Sequence, residues 1–400
     1  MNAKPLQKPT TRSGTNIEHA HLLNQRVVFE TIRSLGPISR AEIARKTSLT
    51  NQTVSNIVEQ LRADGLLEAK GRLTTLRGQP PLLFDIKSDA VCSIGVHLDR
   101  DHLGVVLAQL RGRVLKQFCR EWYLPTPKEA LDIALEFIRQ LQKHAHENAT
   151  QICGIGVALP GPIDFTSGQV IHAPNFPGWE AVDVQHFLMG ATGLPVFVDN
   201  DATAAAVGES WYGIGRSLES FFYLFFGIGL GGGIILRGQP HRGFSGNAGE
   251  VGHLAVASGR NAKNCGCGNT GCLERYVSMA ALYDWLDEGG TKRFDSLTLV
   301  ELFETRNRRL MRWLDDASRY LVDALVRIEM LLDPEAFVLG GRLPSPLVEY
   351  LIDQCQKSLP ARQMQGRLHT PKLFKASVIE DAAALGAAAL PTHGTFEERT

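Results

Sequence analysis

The sequence predicts an α/β protein in two parts: a small helical head with a two-stranded wing, then a larger body of alternating strands and helices. Three observations carry this. Apolar residues between positions 17 and 61 recur at helical spacing in three stretches separated by turn signals. From about Asp89 onward, strand-like apolar runs alternate with amphipathic helical segments through glycine-containing turns. The length of 400 residues also exceeds one ordinary core, at roughly 150 residues per domain. The expected division is an arm at 1–16, a head at 17–88 and a body at 89–400.

In the head, Ile17, Leu22, Leu23, Val27, Val28 and Ile32 mark a first helix, stopped by Gly36-Pro37. Ser39, with Glu42 three positions on, forms a capping box that opens a second helix. Thr50 can cap a third, carrying Val54, Ile57, Val58 and Leu61 and ending at Asp64-Gly65. Three short helices with a tight turn before the last are a helix-turn-helix pattern. The segments 66–68 and 82–86 flank a polar loop from Lys70 to Pro81 and read as a two-stranded wing. A winged helix-turn-helix reads DNA with the start of its last helix, and Thr50, Asn51, Gln52, Thr53, Ser55 and Asn56 can all hydrogen-bond base edges or phosphates. Ser39 and Arg40, at the start of the second helix, join that candidate face. Arg72, Arg77 and Gln79 in the wing suit a narrow minor groove or, equally, a solvated loop. Residues 1–90 carry 13 Lys and Arg against 8 Asp and Glu, in line with a nucleic-acid partner.

The body opens with strand-like runs at 92–107 and 114–122, then a helix at 127–146 and a buried strand at 152–158. A long helical segment covers 307–331, and the chain frays after Pro391. Acids and bases balance at 42 each, so net charge selects no partner. The composition, 44% hydrophobic and 21% charged, is that of a globular protein. The polar residues 1–16 resemble no signal peptide, and no run approaches the ~20 apolar residues of a membrane span. The expectation is a cytoplasmic protein, where clustered cysteines more often bind metal than form disulfides.

Of seven cysteines, Cys265, Cys267 and Cys272 lie within eight residues, with His253 just upstream. Three thiolates and one imidazole make a closed, four-coordinate structural zinc set, one ion per chain. The alternative is a set of free thiols. Gly266, Gly268 and Gly271 would let the loop turn back around one ion.

Glu250-Val-Gly-His253, followed by Cys-x-Cys-Gly-x-x-Gly-Cys-x-Glu to Glu274, resembles the ROK family of repressors, open reading frames and kinases. Other landmarks follow the family order: 154–164 with Pro160-Gly161-Pro162, Pro174-Asn175 with Gly178-Trp179, Asp199-Asn200-Asp201, the glycines of 227–233, and Gly340-Gly341. The resemblance spans nearly the whole chain. It implies an actin-like (ribonuclease H-like), two-lobed sugar-kinase body with a sugar in the cleft, lined by Gly161, Asn175, Asn200, Asp201, Glu250, His253 and Glu274. A DNA-binding head points to the repressor branch, with sugar-responsive relatives of the xylose, N-acetylglucosamine and glucose type. Partners would be a double-stranded, A·T-rich operator and a sugar or sugar phosphate effector, with a homodimer or dimer of dimers matching a two-fold operator.

In kinases of the family, the counterpart of Asp201 is the catalytic base. Here the phosphate cradle departs from the pattern. Where the kinases carry Asp-x-Gly-Gly-Thr, this chain has His97-Leu98-Asp99-Arg100-Asp101. The close backbone approach of two glycines is lost, and two carboxylates would repel a phosphate, partly offset by Arg100. Ile228 and Arg342 depart from the other two nucleotide motifs. The expectation is a sensor without enzyme activity; the alternatives are a sugar kinase carrying a DNA-binding head, or a module that docks another protein.

Overall fold

A computed structural model describes residues 17–72, 80–87, 91–164, 167–171, 176–260, 262–288, 292–378 and 381–394. The chain divides into two compact units, residues 1–87 with 392–400, and residues 88–391. The first break falls one residue before the expected 88/89 boundary. Of the described residues, 392–394 at the end of α11 group with the first unit.

In the first unit, α1 (Ile17–Leu35) buries Val28, Phe29 and Ile32. Ser39 caps α2 (Arg40–Thr47) as its sequence predicts: the Ser39 hydroxyl accepts from the Glu42 N–H at 3.3 Å, and the Glu42 carboxylate accepts from the Ser39 N–H at 3.4 Å. Thr50 caps α3 (Asn51–Ala63), accepting from the Thr53 N–H at 3.1 Å. Val54, Ile57, Val58 and Leu61 line the buried stripe of α3. Each contributes roughly 1.5–3 kcal/mol by leaving water, so packing, more than helix propensity, fixes α3. Ahead of α2 lies β1 (Ile38–Ser39), too short to announce itself in the sequence. It pairs with β3 (Leu82–Ile86), which pairs on its other side with β2 (Leu67–Arg72), giving the order β1-β3-β2.

The second unit holds two five-stranded sheets. The first begins with an antiparallel meander, β4 (Val91–Leu98), β5 (His102–Gln109) and β6 (Val114–Glu121). After α4 (Pro127–Glu147), β7 (Gln151–Leu159) adds parallel to β4. A small hairpin of β8 (Ile163–Asp164) and β9 (Gln169–Val170), then α5 (Val184–Thr192), leads to β10 (Val196–Asn200), parallel to β7. The order is β10-β7-β4-β5-β6. The apolar run 92–107, expected as one strand-like stretch, is two strands broken at 99–101. Every residue of β4 and β5 is buried, because helices cover both faces of the sheet. Leu131, Ile138 and Leu141 of α4 pack on one face. On the other, α11 (Ala382–Gly394) comes so close that a Cβ on Gly95 would lie 1.9 Å from the Ala384 carbonyl oxygen.

The second sheet repeats the plan. Following α6 (Asp201–Tyr212), β11 (Phe221–Phe226) pairs antiparallel with β12 (Leu230–Leu236), which pairs with β13 (Gln239–Pro240). The helices α7 (Met279–Leu286), α8 (Ser296–Glu304) and α9 (Arg308–Leu332) precede β14 (Ala336–Gly341), parallel to β11. Then α10 (Ser345–Ser358) leads to β15 (Lys372–Lys375), parallel to β14. A meander followed by parallel strands, made twice, agrees with the two-lobed α/β body that the family resemblance implies.

Candidate functional site

The pocket forms where strand ends from both sheets face each other. Asn200 ends β10 and caps α6, its side-chain oxygen accepting from the Ala202 and Thr203 N–H groups at 3.0 and 3.3 Å. That leaves its amide nitrogen for a ligand; a Cβ on Gly161 would meet it at 3.2 Å. Asp201, the first residue of α6, is buried. Gly161, Asn200, Asp201, Glu250, His253 and Glu274 all line one small cavity, together with Arg100 and the glycines of 227–232. Six of the seven expected sugar-site residues are thus brought together; Asn175 lies outside the described residues. Asn247 ties the Glu250 loop to the turn after β7, accepting from the Ile163 N–H at 3.0 Å. Asp199, behind the pocket, accepts from Arg242 at 2.9 and 3.0 Å. Neither brace has a motif that would reveal it.

Charge in the cavity is unevenly distributed. Burial, and then the neighbouring Asp99, push the Asp201 carboxyl up to about 7. Burial would raise Asp99 as well, but Arg100, then His102 and His97, hold it well below the usual carboxylate range. Protein atoms packed around the Glu250 carboxyl, and then the charge of Glu274, push its pKa up.

The turn at 99–101 corrects one expectation. Its acids do not stand as bare charges facing a phosphate. Asp99 accepts from the Arg100 backbone N–H at 2.7 Å and from its Nε at 3.1 Å. Asp101 accepts from His102 Nδ1 at 2.8 Å and from Arg342 Nη1 at 3.1 Å. Arg342, where the family commonly has a third glycine, also pairs with Glu121 at 3.0 Å. The side chains of the turn pair with one another and with Arg342, so its two carboxylates are not uncompensated charges. Arg100, read in the sequence only as a partial offset, reaches the cavity: a Cβ on Gly229 would lie 3.2 Å from its Nη2.

His253, Cys265, Cys267 and Cys272 place one ligand atom each within 4.8 Å of one another. Cys265 Sγ lies 3.6 Å from His253 Nδ1, and Cys267 Sγ lies 3.7 Å from Cys272 Sγ. Short bridges, Ala255 to Cys272 and Asn264 to Thr270, fold the loop. Gly271 has φ +75°, and a Cβ there would lie 1.9 Å from the Ala257 carbonyl oxygen, so the fold-back needs glycine. This tetrad could hold a metal ion, and its soft donors suit zinc. The second ring nitrogen of His253 lies 3.8 Å from Glu250, while Nδ1 lies 3.7 Å from Glu274. One imidazole therefore touches both the tetrad and the pocket wall.

On α3, Asn51, Gln52 and Asn56 are exposed, and Thr53 and Ser55 half-buried. Gln52 Nε2 donates to Asn56 Oδ1 at 2.9 Å, and Thr50 is exposed at the cap. Two further candidate DNA contacts, Ser39 and Arg40, have partners within the head. Ser39 is only 4% exposed, and its hydroxyl serves the α2 cap. Arg40 lies over the Phe84 ring at 4.6 Å and pairs with Glu59. Arg72 ends β2, while Arg77 and Gln79 lie outside the described residues. Among the described residues, no helix is long and apolar enough to cross a membrane.

Comparison with known proteins agrees with this geometry. The chain is 29% identical to the xylose repressor of Caldicellulosiruptor bescii over 384 residues, covering 92% of this chain and 95% of the relative. It is 31% identical to the glucokinase of Thermotoga maritima over 314 residues, 74% of this chain and 96% of that enzyme. Its fold matches the crystal structure of a ROK family transcriptional regulator, a homologue of the E. coli MLC protein, with TM-score 0.77 and 24% identity, over 94% of this chain and 96% of that one. The ROK family model matches residues 93–393, and the chain belongs to the ROK family.

Proposed function

We propose that the chain is a sugar-responsive, DNA-binding transcriptional repressor of carbohydrate uptake or catabolism genes. The observation that carries this is a sugar-type pocket with its polar lining in place, beside a phosphate turn filled by Asp99, Arg100 and Asp101. Sugar hydroxyls both donate and accept, and the lining offers carboxylates, an amide and an imidazole for them. The head acts as a winged helix-turn-helix. Thr50, Asn51, Gln52, Thr53, Ser55 and Asn56 enter the major groove, and Arg72, Arg77 and Gln79 meet the adjoining backbone or minor groove. Zinc in the His253, Cys265, Cys267, Cys272 tetrad is structural. It holds the ring of His253 so that its second nitrogen orients Glu250. The chain works as a homodimer on a two-fold operator.

The test is footprinting on DNA flanking sugar-uptake genes, with and without a panel of sugars. A protected two-fold site whose occupancy one sugar changes supports the reading. Absence of any protected site contradicts it. A second reading, a sugar kinase with a DNA-binding head, is favoured by the raised carboxyl of Asp201 beside the pocket, suited to accept a hydroxyl proton. Sugar-dependent ADP release, abolished by Asp201→Asn, would establish it.

A further inference from the structure

We propose that His97, Asp99 and Asp201 form a divalent-cation site behind the sugar pocket, distinct from the cysteine tetrad. One ligand atom from each of the three lies within 4.8 Å of the others. His97 and Asp99 are each 1% exposed and Asp201 is 7% exposed, so water cannot readily satisfy them. Two polar atoms of this cluster have no hydrogen-bond partner among the described residues. His97 Nδ1 contacts Asp381 Oδ1 at 2.7 Å and His102 Nε2 at 3.0 Å. Asp99 Oδ1 takes the two Arg100 N–H groups. His97 Nε2 and Asp99 Oδ2 remain buried with no hydrogen-bond partner among the described residues. A buried polar atom left unpaired is costly, and two of them beside a third carboxylate call for a shared occupant.

That occupant is a cation. Without an ion, protons on Asp201 and His97 keep the cluster balanced; an ion that displaces them leaves Asp99, Asp201 and Asp381 as three carboxylates against Arg100, a count that a divalent cation neutralises. Ligands at ~2.0–2.2 Å from a common ion stand roughly 3–4.4 Å from one another, longer than hydrogen bonds. Asp381 behind His97 matches the carboxylate that fixes the tautomer of a metal-bound imidazole: with Nδ1–H donated to it, loss of the other ring proton would turn the Nε2 lone pair to the ion. One imidazole and two carboxylates suit a borderline or hard ion such as Mn2+, Fe2+ or Zn2+, whereas three thiolates select a thiophilic one. The ligands come from three segments: His97 from β4, Asp99 from the turn after it and Asp201 from the start of α6. A cation there would join the two faces of the sugar cavity.

The experiment uses the full-length, zinc-loaded protein titrated with Mn2+, with unbound Mn2+ read by electron paramagnetic resonance. The expected result is one Mn2+ bound per chain, accompanied by a higher melting temperature. Affinity falls roughly tenfold or more in His97→Gln and in Asp99→Asn, with zinc content unchanged. Circular dichroism melts check that both variants fold, and the wild-type melting shift carries the test if either does not. Mn2+ that stays free, raises no melting temperature, or binds equally to wild type and both folded variants would overturn the proposal and leave a proton on His97 as the occupant.

Discussion

Asp201 has neighbours that pull its proton in opposite directions: burial and Asp99 favour the neutral acid, while His97 and Arg100 favour the ion. The neutral acid gains, so the folded protein holds a proton that the unfolded chain releases at the ordinary value of 3.8. Linkage then fixes the sign. Between about 4 and 7 the native state binds more protons, so this group's contribution to stability falls as pH rises through that window. Asp381 acts in the opposite sense: burial opposes its charge, but His97 holds it at about 2, and the stability it adds is lost only as pH drops below its ordinary range. Without added divalent ions, Asp201→Asn should flatten the fall in melting temperature between pH 4 and pH 7 relative to wild type; an unchanged slope contradicts the assignment. At the tetrad, where we propose zinc, Cys272→Ser removes a buried thiol. It should release the zinc, measured by mass spectrometry of the native protein, and weaken sugar binding through His253 and Glu250. Full zinc retention would place the ion elsewhere.

At the scale of elements, capping chemistry was the most readable signal. Ser39 with Glu42, and Thr50 ahead of Thr53, make the bonds their spacing predicts. Thr50→Ala should cost about 1 kcal/mol in the stability of the head and leave the body's melt unchanged. Asn51→Ala and Gln52→Ala, on exposed positions, should weaken operator binding without changing stability, measured by gel shift beside a thermal melt. Local patterns failed where partners are distant. The two-residue strand β1 exists only through Ile38 facing Phe84, 46 positions later. The turn at 99–101 looked hostile to phosphate because its acids were visible and their partners were not: Arg342 reaches Asp101 from beyond β14. Asp381 likewise reaches His97 from just before α11. The pocket was legible for the opposite reason. Asn200, Asp201, Glu250, His253 and Glu274 lie in short motifs whose order resembles the family's, whereas Arg100, Asn247 and Arg242 act through contacts no motif records.

For the molecule as a whole, the proposed function couples a DNA-binding head to a body whose polar cavity lies beside a turn filled by Asp99, Arg100 and Asp101. A sugar can shift the equilibrium between lobe arrangements only by binding one better than the other, so its effect on operator affinity is bounded by that difference. The polar lining predicts sugar recognition, and the filled turn predicts indifference to nucleotide. A thermal-shift titration of the full-length protein with a panel of sugars and sugar phosphates, each with and without Mg-ATP, tests both at once, because a ligand that binds the native state raises its melting temperature by mass action. One sugar should raise the melt, and Mg-ATP should add nothing beyond the shift given by Mg2+ alone. A clear further shift from ATP would contradict the reading of the turn at 97–101 and favour the kinase reading.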